Sequence, residues 1–281
     1  HPNIIRLMGS IYHKNPLTYC LVLEYCNGGD LNTALKYPTP RNFFFHVAIS
    51  IANAMAYLHC RNVIHRDLKP QNVLCHGNVA SGNFAVKVTD FGVATEALRN
   101  GSGRNGSLMS GGSPRELTGE TGTYRWMAPE VVRHEAYSTK ADVYSFAIMV
   151  WQFLTHEDPF HEDGASDAAR LAAIEKARPP MPQGTPTTVV ELIEANWSDK
   201  PDDRSKFDEI TESLQKIKTT VNATEKAFLE EPYGHPVYIY EDPELESENE
   251  VEKKKTTTMK ERRGSMLSHF FGAHKKSGKR Q

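Results

Sequence analysis

The residues best suited to chemistry lie in two short stretches that follow each other closely. The first reads His65-Arg66-Asp67-Leu68-Lys69-Pro70-Gln71-Asn72, and the second is Asp90-Phe91-Gly92. A carboxylate such as Asp67 can take or orient the proton of a hydroxyl group. A second carboxylate, Asp90, and an amide oxygen, Asn72, are oxygen donors of the kind that Mg²⁺ prefers. Because Mg²⁺ keeps several waters, these two protein ligands suffice beside phosphate groups.

Together these groups suit the transfer of a phosphoryl group. The transferred group carries negative charge spread over its oxygens, so the protein mainly has to position groups and neutralise charge. Lys69, two positions after Asp67, adds a point positive charge that suits a phosphate. Each residue alone says little, because D-F-G arises by chance and a buried Asp beside a His is more often structural.

The order of three motifs makes the pattern specific. H-R-D-L-K-P-Q-N and D-F-G are followed by Ala128-Pro129-Glu130, and this succession resembles the catalytic domain of eukaryotic protein kinases. The resemblance implies ATP as the phosphoryl donor and Mg²⁺ as the metal. It also implies four catalytic residues, of which the last two hold the metal: Asp67, Lys69, Asn72 and Asp90.

Two features indicate the type of kinase. Lys69 is typical of serine/threonine kinases, in which a lysine at this place meets the transferred phosphate. The wording T-Y-R-W-M-A-P-E at Thr123–Glu130 resembles the tyrosine-kinase-like group, including Raf-like and mixed-lineage kinases, which act on Ser/Thr. Thr123 is then expected to hydrogen-bond near Asp67 and Lys69, and tyrosine specificity is disfavoured.

A strand is predicted at Tyr19–Leu23, and Asn27-Gly28-Gly29 then breaks it. Taken alone, it is equally typical of an ordinary hairpin that leads into a helix. By the resemblance it is the last strand of a kinase small lobe and the hinge after it. This predicts an adenosine site with Leu23 as gatekeeper, backbone groups of Glu24 and Cys26 at the adenine, Asp30 at the ribose and Leu74 beneath the adenine. Asp30 also suits a helix N-cap.

The residues between Asp90 and Glu130 are rich in Gly, Ser and Asn, which predicts a loop. Its end resembles a kinase activation segment, in which Thr118 and Thr121 are candidate phosphorylation sites. Arg66 is then expected to pair with such a phosphate. The G-x-G-x-x-G string at 101–106 is rejected as a nucleotide site, because no apolar strand precedes it and no periodic helix follows.

Three further residues have structural roles implied by the resemblance. Asp142 is expected to hydrogen-bond to the backbone of the catalytic loop, His65–Asn72, from below. A carboxylate at the start of a helix also has a plain capping role. Arg204 is expected to pair with Glu130 across the domain. The alternative for Arg204 is an ordinary surface arginine.

The resemblance implies an α+β fold of the protein-kinase type, mainly the helical large lobe with a remnant of the small-lobe sheet. Apolar residues at helical spacing from Phe44 to Leu58 indicate a core helix. A hairpin is predicted for 73–74 and 85–88, with a long turn over 77–83. Further helices are predicted from the same spacing over 142–154, 168–177, 189–197 and 207–217. The domain boundaries that follow are a remnant of the small-lobe sheet at 1–29, a helical large lobe at 30–220 and a tail at 221–281.

The tail has segregated charge. Residues 222–252 hold ten acidic and one basic residue, whereas 253–281 hold ten basic and one acidic residue. Such blocks repel internally and are typical of disordered segments. The lysines around Met266, Leu267, Phe270 and Phe271 could touch an acidic membrane surface, but a solvated tail is the favoured interpretation.

The overall composition limits the protein's class. The net charge of −2 gives no reason to expect a nucleic-acid partner. The four cysteines lack metal-ligand spacing, and the N-terminal residues lack the features of a signal peptide. These observations favour reduced thiols in a cytoplasmic protein.

Two parts of a kinase domain are not found: a Gly-rich strand–loop–strand and a strand lysine of the V-A-I-K type. We therefore expect an N-terminally truncated serine/threonine kinase, which by itself binds ATP weakly. Its expected partners are a protein substrate with a Ser/Thr hydroxyl and an upstream activating kinase. The alternative is a kinase-like scaffold whose exposed sheet edges and apolar rim meet another protein.

Overall fold

The computed structural model describes residues 1–14, 18–92, 94–96, 123–231 and 234–235. The strands are β1 (Leu7–His13), β2 (Thr18–Leu23), β3 (Val63–Ile64), β4 (Val73–Asn78), β5 (Asn83–Val88) and β6 (Thr95–Glu96). The α-helices are α1 (Leu31–Ala34), α2 (Phe43–His59), α3 (Pro129–Val132), α4 (Lys140–Thr155), α5 (Ala165–Ala173), α6 (Thr187–Asn196), α7 (Phe207–Thr220) and α8 (Ala223–Leu229). Short 3-10 helices span Pro70–Asn72, Thr123–Trp126 and Pro201–Asp203.

The helical core is built around α4. Every residue of α4 from Ala141 to Thr155 is buried, as expected for a helix that has neighbours on all sides. α2 packs against α4 and α7, and α6 packs against the same two helices. The apolar stripe from Phe44 to Leu58 lies inside this core. Among the described helices, none is both long enough and apolar enough to cross a membrane.

Three antiparallel strand pairs accompany the helices. β1 pairs with β2, and both strands are exposed along nearly their whole length. β3 pairs with β6 beside the catalytic loop. β4 pairs with β5 from Val73 opposite Val88 to Asn78 opposite Asn83. The predicted long turn over 77–83 is therefore wrong, because the strands continue to these two asparagines and only 79–82 connect them.

The end of α5 also differs from the prediction of a helix over 168–177. The helix begins earlier, after Gly164, and it stops at Ala173. Lys176 adopts a left-handed conformation with φ of 57°, and the Ala177 N–H donates to the Leu171 carbonyl at 3.0 Å. A left-handed residue just after the end of a helix is usually a glycine. The sequence lacked that glycine, so the stop was missed.

The tail predicted to begin at residue 221 is ordered in its first part, which corrects the prediction of disorder there. Asn222 caps α8 by accepting from the N–H groups of Thr224 and Glu225 at 2.9 and 3.0 Å. Leu229 is buried in the core. The His235 N–H then donates to the Leu154 carbonyl at the end of α4. Capping and apolar contacts thus outweigh the acidic charge, while residues 236–281 lie outside the described part.

The docking of α8 should contribute measurably to stability. Leu229 is only 5% exposed, and truncating a buried leucine removes apolar contacts and leaves a cavity. We expect Leu229→Ala to lower the free energy of unfolding by about 2–5 kcal/mol, measured by urea unfolding. Ile174→Ala is the matched control, because Ile174 is 65% exposed. Equal effects of the two variants would show that α8 does not pack on the lobe in solution.

A histidine at this junction makes a prediction about pH. Burial lowers the pKa of His156 to about 4, and nearby His235 adds to the effect. Its ring also lies 3.5 Å from the Thr39 hydroxyl. Because the folded pKa lies below the unfolded value of about 6.5, the unfolded state binds the proton more readily. Stability should therefore be lost as pH falls from about 6.5 towards 4, by about 2–3 kcal/mol from this group.

The variant His156→Asn isolates that contribution. Asparagine tolerates the left-handed backbone that His156 adopts, with φ of 57°. Urea unfolding at a series of pH values should show a shallower loss of stability in the variant between about pH 6.5 and 4. Parallel curves for the two proteins would contradict the assignment to His156.

Candidate active site

The catalytic loop and the D-F-G loop are joined by one histidine. The His65 ring is fully buried. Its Nδ1 accepts from the Asp67 N–H at 3.3 Å, and its Nε2 lies 2.9 Å from the Thr89 carbonyl. The two contacts require the tautomer with the proton on Nε2. Asp67 and the residue before Asp90 are therefore held by the same ring, so the two loops share one site.

His65 was not predicted as a site residue. Its position directly before Arg66 and Asp67 was the available signal, but only the aspartate was interpreted, and no role was predicted for the histidine. The geometry gives it a specific task, because its two ring nitrogens fix the distance between two loops that each carry a carboxylate.

The carboxylate of Asp67 has one engaged and one unengaged oxygen. Oδ2 accepts from the Asn72 side-chain amide at 2.8 Å and lies 3.0 Å from Lys69 Nζ. Oδ1 is buried and has no hydrogen-bond partner among the described residues. A buried acceptor left without a donor is costly. The oxygen therefore indicates where a donor group of a ligand fits.

Lys69 connects this carboxylate to the far end of the activation segment. Its Nζ donates to the Thr123 hydroxyl at 2.7 Å, and the side chain is 8% exposed. The expected contact of Thr123 near Asp67 and Lys69 is thus present. Thr118 and Thr121 lie outside the described residues.

Asn72 and Asp90 are the predicted metal ligands. The Asn72 amide nitrogen donates hydrogen bonds to both the backbone and the side chain of Asp67. Its amide oxygen is thus the atom that could bind a metal ion. The Thr89 N–H donates to the Asn72 carbonyl at 2.9 Å. This bond holds the residue before Asp90 next to Asn72. A Cβ at Gly92 would lie 3.1 Å from Asp90 Oδ1, so a glycine here leaves room for the carboxylate.

The donor set fits Mg²⁺ bound beside phosphates. No group of three His, Cys, Asp or Glu side chains that could hold a metal occurs in the described part of the chain. One carboxylate and one amide oxygen are hard donors, and Mg²⁺ completes its octahedron with waters and phosphate oxygens. The two residues thus suit this ion better than a metal that needs a full protein cage.

Asp142 supports the loop from below. Its carboxylate accepts from the N–H groups of His65 and Arg66 at 2.9 and 2.8 Å, and it lies 2.8 Å from His59 Nε2. Burial by itself would raise the pKa of Asp142, but the bond and charge of His59, with the neighbouring N–H groups, bring that pKa below its ordinary value. Asp142 lies in the first turn of α4. The bonds from His65 and Arg66 therefore connect α4 to the catalytic loop.

Arg66 lies over an aromatic ring. Its guanidinium carbon is 5.3 Å from the centre of the Tyr137 ring, and its backbone is left-handed with φ of 71°. The phosphate partner predicted for it would come from residues outside the described part.

Two residues predicted for the adenosine site, Asp30 and Leu74, lie next to each other where α1 meets β4. Asp30 pairs with Leu74 in an isolated antiparallel bridge. Asp30 also caps α1 through the Thr33 N–H at 2.8 Å, as its sequence position suggested. Leu23 is the last residue of β2 and is 42% exposed.

Glu24, one residue after Leu23, is tied to β5. The Glu24 carboxylate lies 2.9 Å from Lys87 Nζ and accepts from the Arg6 N–H at 2.7 Å. The hydrogen bond from Lys87 is the main reason that the pKa of Glu24 lies below its ordinary value. Burial raises the pKa of the Cys26 thiol. Adenine binding by the backbone of Glu24 and Cys26 stays a prediction.

Glu130 and Arg204 form a buried ion pair. Arg204 Nη1 and Nη2 donate to the two Glu130 oxygens at 2.7 and 2.8 Å. The two side chains are almost completely inaccessible to solvent. The alternative of a surface arginine is therefore excluded. The pair joins the end of the activation segment to the start of α7.

The chain is similar to known protein kinases. A family model described as protein tyrosine and serine/threonine kinase matches residues 1–214. The match covers most of the chain, so the chain belongs to this protein kinase family.

Several curated kinases are similar to the chain. It is 38% identical to serine/threonine-protein kinase STY46 from Arabidopsis thaliana, over 77% of this chain and 35% of that protein. It is 36% identical to serine/threonine/tyrosine-protein kinase HT1 from the same plant, over 77% of this chain and 51% of that protein. It is also 36% identical to human mitogen-activated protein kinase kinase kinase 10, over 77% of this chain and 22% of that protein. The matched region thus spans about half or less of each of these relatives.

Proposed function

We propose that this chain is the main catalytic part of a protein kinase that transfers the γ-phosphate of ATP to Ser/Thr hydroxyls of proteins. One observation carries the proposal. Among the residues that the structure describes, buried Asp67 Oδ1 has no hydrogen-bond partner, while Lys69 and Asn72 hold the other oxygen of the same carboxylate. An acceptor hydroxyl supplies the missing donor.

Asp67 then orients the acceptor for reaction. The hydroxyl donates to Oδ1, which directs an oxygen lone pair away from the carboxylate and towards the phosphorus. As the new oxygen–phosphorus bond forms, the bond between the γ-phosphorus and the β–γ bridging oxygen breaks and ADP leaves, while the hydroxyl proton passes to Asp67. Lys69 and Asn72 prevent rotation of the carboxylate, so its free oxygen keeps one direction. This restriction is a positional contribution to the rate.

Three residues, Lys69, Asn72 and Asp90, would help to balance the negative charge of the transferred group. Lys69 Nζ lies 3.0 Å from the Asp67 carboxylate, so its positive charge is close to the transferred phosphate. Asn72 and Asp90 would hold Mg²⁺. When bound, the ion would neutralise charge on the phosphate oxygens. ATP itself would enter through the region of Leu23, Asp30 and Leu74.

Serine/threonine specificity is the part of the proposal that depends on Lys69. The Lys69–Thr123 hydrogen bond and the Lys69–Asp67 contact hold this lysine beside the proposed base, where the resemblance to serine/threonine kinases expects it. The name of STY46, a serine/threonine-protein kinase, supports Ser/Thr acceptors, whereas the name of HT1 also includes tyrosine. Phosphoamino-acid analysis of the products separates the two outcomes.

Partners and location follow as proposals. We propose a protein substrate and an upstream activating kinase. The name of the human relative, a mitogen-activated protein kinase kinase kinase, suggests such a kinase cascade. A cytoplasmic location fits the composition and is tested by imaging the tagged full-length protein.

A scaffold function is the second candidate, and the β1–β2 hairpin favours it. Large apolar side chains are exposed there, including Met8 at 63%, Tyr19 at 73% and Leu21 at 69%. Exposed apolar patches mark surfaces that other parts of a protein cover. This observation does not explain the orphaned Asp67 oxygen, so the enzyme is the better-supported function.

The decisive experiment uses the full-length gene product. It is incubated with Mg-ATP labelled in the γ-phosphate and a generic acceptor protein. Transfer to serine or threonine, lost in the metal-site variant Asp90→Asn, is the expected result. Nucleotide binding without transfer would instead support the scaffold.

A further inference from the structure

Arg125 binds the loop after α4 in an unusual way. Its Nη1 donates to the Pro159 carbonyl at 2.6 Å and to the Phe160 carbonyl, and its Nη2 donates to the Asp163 carbonyl at 2.7 Å. All three acceptors lie in one short loop between α4 and α5. Phe160 has a φ of 53°, which is uncommon for a bulky residue. The loop is therefore held in a conformation that it would not adopt by itself.

A second connection leaves from the residue next to Arg125. The Trp126 ring N–H donates to the Gln152 side-chain oxygen at 3.1 Å, and the Gln152 amide donates to Asp158 at 3.1 Å. Gln152 is 2% exposed, so these bonds lie in the core. The 3-10 helix Thr123–Trp126 is thus fastened at two adjacent residues.

The other end of the same 3-10 helix reaches the reacting groups. Its first residue, Thr123, accepts from Lys69 Nζ at 2.7 Å, and Lys69 Nζ lies 3.0 Å from Asp67 Oδ2. The helix has only four residues. A shift at Arg125 is therefore passed to Thr123 with little flexible chain between them.

We propose that Arg125 is a positioning residue for the acceptor in the phosphoryl transfer proposed above, on which this inference rests. By clamping three backbone carbonyls, it fixes the Thr123–Trp126 helix. It thereby fixes the Thr123 hydroxyl against Lys69 and the surface along which an acceptor approaches Asp67. Arginine suits the task because its planar fork presents several fixed donors, whereas lysine presents one mobile ammonium group.

The kinetic test compares Arg125→Ala and Arg125→Lys in the full-length protein. Displacement of the acceptor surface by about 1 Å can cost about 100-fold in rate. We expect kcat/KM for the acceptor to fall about 100-fold in Arg125→Ala and less in Arg125→Lys. The KM for ATP should stay unchanged, because Arg125 contacts none of the residues assigned to the adenosine.

Arg178→Ala is the matched control. Arg178 also donates to three carbonyls, those of Trp197, Ala172 and Ala177, but it contacts no residue of the proposed site. It should leave kcat/KM for the acceptor unchanged, even if it lowers stability to a similar extent. An equal loss in both alanine variants, or a parallel rise in the KM for ATP, would overturn a positioning role.

A second measurement is independent of turnover. Hydrogen exchange of the backbone amides at 123–131 and 157–164 should become faster in Arg125→Ala than in the wild type, and should be unchanged in Arg178→Ala. If the wild type transfers no phosphate, the proposed function fails, whereas the exchange rates still decide whether Arg125 holds the two segments together. Equal exchange in wild type and Arg125→Ala would overturn the inference.

Discussion

Replacing Asp67 by asparagine is expected to lower kcat for phosphate transfer by about 10²–10⁴-fold, the range typical of a lost general base. The change preserves the shape of the side chain but removes its ability to take a proton. It also replaces one carboxylate oxygen by an NH₂ group. That group would stand either at Oδ1, which faces the acceptor, or at Oδ2, which faces Lys69 and Asn72. Steady-state kinetics of the full-length protein with Mg-ATP and a Ser/Thr acceptor measure the effect.

Two comparisons show whether the loss belongs to the chemical step. Nucleotide affinity, measured by direct binding, should stay close to that of the wild type, because Asp67 is not among the residues assigned to ATP. Asp202→Asn removes the same charge from an exposed position on a 3-10 helix, so it should leave kcat unchanged. If Asp67→Asn turned over like Asp202→Asn, Asp67 could not be the residue that receives the proton.

The groups around Asp67 could be predicted because their pattern is local in sequence. Asp67, Lys69 and Asn72 lie within six positions, and a short loop between two strands cannot separate them far. The structure indeed joins all three through one carboxylate oxygen. Their catalytic roles remain predictions until kinetic data exist.

Contacts between residues far apart in the sequence could not be predicted from local patterns alone. Glu130 and Arg204 are 74 positions apart, and neither composition nor periodicity pairs two charges over such a distance. Only the resemblance to protein kinases connected them. Arg125 shows the limit of that approach, because its partners are backbone carbonyls, which leave no trace in the identity of residues 159–163.

The ordered start of the tail was missed because net charge was counted over too long a segment. Within 222–252, the acidic residues outnumber the basic ones ten to one, which is typical of disorder. A capping pair, Asn222 and Glu225, and the apolar residues Phe228 and Leu229 form a separate short signal inside that segment. Stability is decided by such local contacts, and an average over thirty residues hides them.

The largest effect on stability is expected at the Glu130–Arg204 pair. Arg204 donates to both Glu130 oxygens and also to the carbonyls of Ser198 and Lys140. Arg204→Met would leave Glu130, which is 2% exposed, as an uncompensated buried charge. Removing one partner of such a pair typically costs about 3–5 kcal/mol. We expect a loss of this size in the free energy of unfolding, measured with urea.

A double-mutant cycle separates the buried charge from the lost packing. Glu130→Leu combined with Arg204→Met removes both charges, so it should be markedly less destabilising than Arg204→Met alone, since replacing both members of a buried pair by apolar residues is often close to neutral. Arg170→Met is the surface control: Arg170 pairs with Glu175 while 55% exposed, and such a pair contributes about 0–1 kcal/mol. If Arg204→Met cost no more than Arg170→Met, the ion pair would not be the link that holds the activation segment to α7.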